Sequence, residues 1–589
     1  MQALLRGIPA SPGIVVGPVH ILRWEVPAVA PRVIADDAIP GELARLDEAL
    51  ARARDRLSRL AERAEEKVGS TEAAIFIAQR TILEDPELAA SAGTLIRQHL
   101  GAEKAVDVVL GDWRQRFARH PSPMLREKVG DLTDIHIRVL SLLMDLPDHD
   151  PVDVPVGAGA VLVTHDLTPS LTLQLDRSRI AALATEEGTN TAHVAILARS
   201  LGIPAVVGLR TALGALRAGE EVVLDGTAGT IMASPSPQEV DEARARMAEE
   251  AGRAEVLRPL ALSEPVTRDG VRLVVRANVD LAEEAEAAAT SGAEGVGLMR
   301  TEFLVVGRST MPDEDEQERT YRRILGHFPR TTVTIRTFDV GGDKLPVGGY
   351  PAEDNPFLGW RAIRMCLDLP ELFGVQLRAL MRAAVHGDLR IMLPLVTTVD
   401  EVREARQLLQ EAARELAARR VPFRADIPLG VMVETPAAAV ACDTLVRDVD
   451  FFSIGSNDLV QYTLAVDRGN VNLAPRFTPL HPAVLRLIAQ VQATAQAHGI
   501  EVCVCGEMAS QPLAAFALLG LGIRELSVSP RAVPHVKRVI RGVRAQAAAE
   551  VAQAALGAGT AREVEILLRR RLRLELEGAD PLADGLPLP

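Results

Sequence analysis

Several things are scarce in this chain. Cysteine occurs four times in 589 residues, too seldom for a disulfide framework. Cys503 and Cys505 form a C-x-C pair with no second pair at zinc-finger spacing, so a reducing compartment is expected. No apolar run reaches membrane-spanning length, and the opening MQALLRGIPASPG lacks the apolar core of a signal peptide. The expectation is a cytoplasmic soluble protein with no membrane insertion. Blocks of Lys and Arg are missing too, and the formal net charge is -14. That argues against nucleic acid as the main partner and suits solubility. Apolar material is plentiful, at 48% of residues, over a length that calls for about two to four domains.

The first chemically pointed stretch is residues 186–208, EEGTNTAHVAILARSLGIPAVVG. His193 stands where a Gly/Thr/Asn turn gives way to an apolar-periodic helix. Backbone N–H groups at a helix start favour an anion, so an imidazole there is poised to carry a phosphoryl group. Taken alone, it reads sooner as a capping or surface histidine. A second group of residues far downstream tips the balance.

Before it, GIVVGPVHIL has strand character between Gly and Pro punctuation. The pattern then changes: Leu43, Leu46, Leu50, Ala53, Leu57, Leu60 and Ala64 step by three and four, a seam on a charged helix. Helical character persists to about residue 145, and the unit reads either as a plain bundle or as a docking platform. From Gly157 strands return in GAVLVTHDL, IAALATEE, IPAVVG and EVVLDGTAGTIMASP. The expected organisation joins residues 1–32 and 150–236 in one α/β domain, with residues 33–149 inserted as helices. Residues 237–262 are charged and read as a linker helix, 263–575 as the next domain, and 576–589 as a tail.

Residues 263–575 repeat a strand-then-helix rhythm. Eight strands are expected: Val271–Val279, Gly295–Met299, Val333–Val340, Ile391–Pro394, Leu429–Glu434, Phe451–Gly455, Val502–Cys505 and Glu525–Val528. Eight βα units over roughly 300 residues match a (β/α)8 barrel, in which chemistry gathers at the C-terminal ends of strands. The polar residues fall there: Arg300 after strand two, Arg336 and Asp339 near the end of strand three, Glu434 ending strand five, Asn457 and Asp458 after strand six, Cys505 and Glu507 at strand seven.

These residue types suit a phosphorylated carboxylic acid. Glu434 and Asp458 read as ligands of magnesium, which takes few carboxylates and completes its shell with water and phosphate; a general acid/base pair is the alternative. Arg300, Arg336 and Arg468 read as anion clamps, with Lys344 in GGDKLP adding charge and Arg361 a further candidate of the same kind. Cys505, a thiol with an ordinary pKa near ~8.5, can give a proton to carbon; otherwise it is a buried core cysteine, as Cys503 is expected to be.

Together these segments resemble the phosphoenolpyruvate (PEP)-utilising family, in particular its PEP–protein phosphotransferases, enzyme I of the sugar phosphotransferase system. The resemblance spans nearly the whole chain, through GIPASPGIVVGP, GTNTAHVAILARSLGIPAVVG, GAEGVGLMRTEFL, RTFDVGGDKLP, DNPFLGWRAIR, GVMVETPAA, FFSIGSNDLVQYTLAVDR and VCGEMA in order. It implies that His193 accepts the phosphoryl group through Nε2. It implies too that Arg300, Arg336, Asn457 and Arg468 hold PEP, Glu434 and Asp458 hold magnesium, and Cys505 protonates enolpyruvate to pyruvate. An HPr-type carrier that docks on the helical insertion, and a homodimer formed through the barrel, follow from the same resemblance.

The chain departs from the family pattern at a few places. Thr191-Ala192-His193 stands for Thr-Ser-His, and Glu187-Gly188 for Gly-Gly. Asp131-Leu132-Thr133-Asp134-Ile135-His136 stands for an Asp-x-Arg-Asp-x-Gly run, and Gln79 for a histidine; these last two bear on carrier docking. Rival readings are a dikinase or PEP synthase, expected to need an ATP-binding domain; a nitrogen-related or regulatory paralogue serving another carrier; and a retired enzyme kept as a scaffold, expected to have lost His193, Cys505 or a metal carboxylate.

Overall fold

The structure is a computed structural model that describes residues 3–22, 24–67, 70–119, 128–146, 159–167, 179–187, 198, 203–305, 310–341, 353, 355–468, 470, 473 and 476–576. The chain divides into two compact units, Met1–Arg253 and Ala254–Pro589.

In the first unit, strands from the two ends of the segment share one sheet. Three come early, β1 (Ala3–Arg6), β2 (Ile8–Ser11) and β3 (Ile14–Leu22). Five come late, β4 (Ala160–Thr164), β5 (Ile180–Thr185), β6 (Ala205–Val207), β7 (Glu221–Asp225) and β8 (Thr230–Ala233). Their order is β1-β8-β7-β3-β4-β5-β6-β2. The centre, β3 to β6, is parallel, and the flanks are antiparallel. The reason lies in AVLVT: all five residues of β4 are buried, as a strand covered on both faces must be. Ala160 and Leu162 enter the core on one face, while Val161 and Val163 enter the core on the other, the period of two expected of a strand.

Between β3 and β4 lie the helices α1 (Ile39–Lys67), α2 (Ser70–Leu83), α3 (Pro86–Arg97), α4 (Ala102–Ala118) and α5 (Val129–Leu143). The seam read from the sequence is their shared core: Leu46, Leu50, Ala53, Leu57 and Leu60 are buried together, and Leu43 packs on them partly buried; the Ala64 side chain lies outside the described residues. Glu42 ties α1 to α4. Its Oε2 accepts from the Ala102 N–H at 2.9 Å, and its Oε1 accepts from Arg32 at 2.8 Å and Arg45 at 2.9 Å. Gln79 and His136, two of the departures from the family pattern, are both interior. Gln79 Nε2 donates to Asp131 Oδ1 and Asp134 Oδ2, each at 3.2 Å. Asp134 Oδ1 also accepts from Trp24 Nε1 at 2.7 Å, which fastens the segment leaving β3 to α5. A helix α6 (Pro237–Ala261) follows the sheet.

The second unit is a closed barrel of eight parallel strands: β9 (Val274–Val279), β10 (Val296–Met299), β11 (Val333–Arg336), β12 (Leu389–Leu393), β13 (Leu429–Val433), β14 (Phe451–Ile454), β15 (Glu501–Val504) and β16 (Glu525–Val528). All eight expected strands are present. β11 ends at Arg336, four residues before the expected Val340, because Phe338 and Val340 turn into the helical layer outside the barrel. In β13, Leu429, Val431 and Val433 face those helices, whereas Met432 joins Leu298, Met392, Phe451 and Cys505 in a separate inner cluster. Gly430 pairs with Phe451; a Cβ there would lie 2.5 Å from the ring, so glycine leaves room for this aromatic side chain. Past β16 the chain is mainly helical to Leu576.

Candidate active site at the C-terminal mouth of the barrel

The ends of neighbouring parallel strands carry the polar side chains. Arg300 is the first residue beyond β10, and its N–H donates to Val279 O at 3.0 Å. Arg336 closes β11. Glu434 is the first residue beyond β13, where its Oε1 accepts from the Leu395 N–H at 2.6 Å. Asn457 and Asp458 sit in the first turn of α7 (Ser456–Leu464), immediately after β14. Gly455 precedes that turn, and a Cβ on it would come 2.5 Å from Glu434 Oε2, so the carboxylate has its place because residue 455 is a glycine. Asn457 Oδ1 accepts from the Glu507 N–H at 3.1 Å, which joins the ends of β14 and β15.

Every described arginine expected to clamp an anion is paired with a carboxylate of the chain. Arg300 Nη1 lies 2.9 and 3.1 Å from the two oxygens of Asp280. Arg336 pairs with Glu302 through Nη2, and with Asp339 at 3.0 Å. Arg361 donates from Nε to Asp339 at 2.9 Å and reaches Asp458 Oδ2 at 3.4 Å. Arg468 stands 3.3 Å from Asp458 Oδ1. Burial opposes the charge on Asp339, but Arg336 and Arg361 outweigh it and hold that carboxyl below its ordinary range. Glu434 goes the other way: burial, with Asp458 and Asp339 beside it, raises its pKa.

Among the described residues, Arg336 Nε and Arg361 Nη1 are buried without a hydrogen-bond partner, while Asp458 Oδ1 has only its ion pair with Arg468. Buried polar atoms are ordinarily satisfied, so two unmet guanidinium donors at one mouth suit an anion. No group of three or more His, Cys, Asp or Glu side chains is gathered to hold a metal among the described residues. Glu434 and Asp458 are the carboxylates here that could hold a hard divalent cation, which takes few protein ligands and keeps water and phosphate oxygens; Asp458 is at present ion-paired with Arg361 and Arg468.

Cys505 is the first residue past β15. It is buried in the inner cluster, and burial pushes its thiol up to about 11. Cys503, two residues earlier, is buried towards the other end of the barrel, with Glu525 and Arg276 among its neighbouring charges. Of the expected site residues, Arg300, Arg336, Arg361, Glu434, Asn457, Asp458, Arg468 and Cys505 are at this mouth. His193 and Lys344 lie outside the described residues. Asp280 and Glu302, which hold Arg300 and Arg336, were not singled out. Their only signal in the sequence is that they closely follow a strand.

Three family models match the chain: PEP-utilising enzyme, N-terminal, over residues 6–128; the mobile domain of the same enzymes over 156–229; and their PEP-binding domain over 257–545. The chain is 40% identical over 578 residues to a phosphoenolpyruvate-protein phosphotransferase of Geobacillus stearothermophilus, covering 97% of this chain and 99% of that one. It is 38% identical over 571 residues to the protein of the same name from Haemophilus influenzae, again 97% and 99%. An NMR solution structure of an Enzyme I protein aligns at 28% identity, covering 42% of this chain and 99% of that one, with a TM-score of 0.36. Matches that run nearly end to end make this chain a member of the PEP-utilising enzyme family, among the phosphoenolpyruvate-protein phosphotransferases.

Proposed function

We propose that the chain transfers the phosphoryl group of PEP to its own His193, releasing pyruvate, and then to a histidine of an HPr-type carrier protein, the first step of sugar uptake by a phosphotransferase system. The observation that carries this reading is the pair of unmet buried guanidinium donors on Arg336 and Arg361 at the barrel mouth, within a chain that matches phosphotransferases over almost all its length.

Arg300, Arg336, Arg361, Arg468 and Asn457 would bind the phosphate and carboxylate of PEP, and Lys344 would add a further positive charge. Positioning and charge neutralisation are the larger part of phosphoryl-transfer catalysis. The residues that would hold a divalent ion, magnesium in this reading, are Glu434 and Asp458, and when bound it supplies neutralising charge to the phosphate oxygens. The Nε2 atom of neutral His193 attacks phosphorus in line; with an ordinary pKa near ~6.5, most of this imidazole is neutral at pH 7. The bond from phosphorus to the enol oxygen breaks, and the enolate of pyruvate takes its methyl proton from the Cys505 thiol. A thiol pushed up to about 11 is protonated at neutral pH and keeps that proton until the enolate forms.

His193 and the barrel belong to different units, so the two must meet for one transfer and part for the next, and the helix Pro237–Ala261 between them is where motion is needed. The helical insertion would receive the carrier, and the barrel would form a homodimer. No helix among the described residues is long and apolar enough to cross a membrane, in keeping with a cytoplasmic enzyme. Mixing the protein with PEP and magnesium tests the reading: about one equivalent of pyruvate per chain should appear in a burst without any carrier. Absence of a burst from the full chain contradicts it.

A further inference from the structure

The candidate proton donor has a hydrogen-bonding partner of its own. Ser453 is the third residue of β14, Cys505 follows the end of β15, and the two strands are neighbours in parallel register, Ser453 opposite Cys503 and Ile454 opposite Val504. Ser453 Oγ donates to Cys505 Sγ at 3.2 Å. The sulfur in turn lies 3.6 Å from Ile454 O. Both side chains are about 1% exposed. Leu298, Met392, Met432 and Phe451 make the remainder of the inner cluster that holds Cys505, and Ser453 is a buried hydroxyl beside its sulfur. Such a group is costly to bury unless it is hydrogen-bonded, and the Cys505 sulfur is the partner it has. The backbone of Cys505 is held as well. Its O accepts from Asn278 Nδ2 at 3.0 Å, Asn278 Oδ1 accepts from Ser527 Oγ at 2.7 Å, and the Cys505 N–H donates to Ile454 O at 3.1 Å.

We infer that Ser453 is a positioning residue for proton delivery: its hydroxyl orients the Cys505 thiol and steadies the thiolate left when the proton has gone. The inference rests on the reading of Cys505 as proton donor. In the step, the S–H bond breaks and its electron pair stays on sulfur, while the proton forms the new C–H bond of the pyruvate methyl group. The Ser453 hydrogen bond, neutral before the step, then runs to an anion and is strengthened. It is therefore worth more after transfer than before, the condition for raising a rate rather than ground-state affinity. Water restores the proton once pyruvate has left.

The test is single-turnover release of pyruvate by the full-length protein with PEP and magnesium, across a double-mutant cycle. Ser453→Ala should slow the limiting rate about tenfold with the half-saturating PEP concentration unchanged. Added to Cys505→Ala, the same substitution should slow nothing further, because the bond it removes is already gone. A merely structural serine would cost the same in both backgrounds, and that result, or a wild-type rate for Ser453→Ala beside a slowed Cys505→Ala, overturns the inference. A wild-type rate for Cys505→Ala instead overturns the assignment of the thiol on which it rests.

Discussion

Glu434 illustrates how much one side chain depends on its surroundings. Burial, with Asp458 and Asp339 nearby, raises its pKa, and a carboxyl must lose its proton to bind a metal. Its raised pKa extends the protonated range upward, so metal binding is weakened on the acid side. The magnesium concentration that half-saturates pyruvate release should therefore fall as pH rises from about 6 to about 9. Glu434→Gln should raise that concentration by at least about tenfold and flatten its pH dependence, measured by titrating magnesium at each pH. A wild-type magnesium requirement in the variant would remove Glu434 from the site. Arg300 and Arg336 were legible as mouth residues because each stands at the end of a strand in a regular strand–helix repeat. Their partners Asp280 and Glu302 were not, since pairing depends on which strand ends become neighbours. Gln79 and His136 also needed the fold. They read as departures bearing on carrier docking, yet both side chains are interior and act on helix packing before any partner.

At the scale of elements, local chemistry explains where turns and helices hold. Gly455 links β14 to α7, and a methyl group there would meet Glu434 Oε2 at 2.5 Å. Gly455→Ala should displace this carboxylate and weaken magnesium binding, and should lower the melting temperature, read by circular dichroism, because the same Cβ would come 2.9 Å from Glu434 Cβ and Met432 Cγ; tight magnesium binding in the variant would show that the turn has slack. In the helical unit, burial would raise the Glu42 pKa, but hydrogen bonds from Arg32, Ala102 and Arg45 bring it down to about 2. A carboxyl depressed in the fold contributes its stability above its ordinary pKa and loses it as pH falls from about 4.5 to about 2. Glu42→Gln should thus lower the denaturation midpoint at neutral pH and remove part of the acid sensitivity in that window, as followed by denaturant unfolding at several pH values. The seam that includes Leu57 was legible because a period of three and four is a property of the chain alone. The early end of β11 was not, because Thr337 to Val340 are apolar enough to extend a strand and leave the barrel only when the outer helices claim Phe338 and Val340.

For the whole molecule, the barrel was legible as eight strand–helix repeats with polar residues at the ends of five of them, and a repeat survives errors of a few residues at any one boundary. The first sheet was harder. Its two short leading strands, β1 and β2, pair with β8 and β6, over 190 residues later, and such long-range antiparallel pairing leaves little local trace. Division of labour between two units is the central claim: one unit is to carry His193 and the other to bind PEP. His193→Ala should then bind PEP with wild-type affinity in the presence of magnesium and yet release no pyruvate. The most direct measurement is to treat the wild-type chain with PEP carrying labelled phosphate, digest it under alkaline conditions and sequence the labelled peptide. The account predicts one acid-labile phosphohistidine, at His193 in residues 186–208; label on any other residue, or its persistence in His193→Ala, would contradict it.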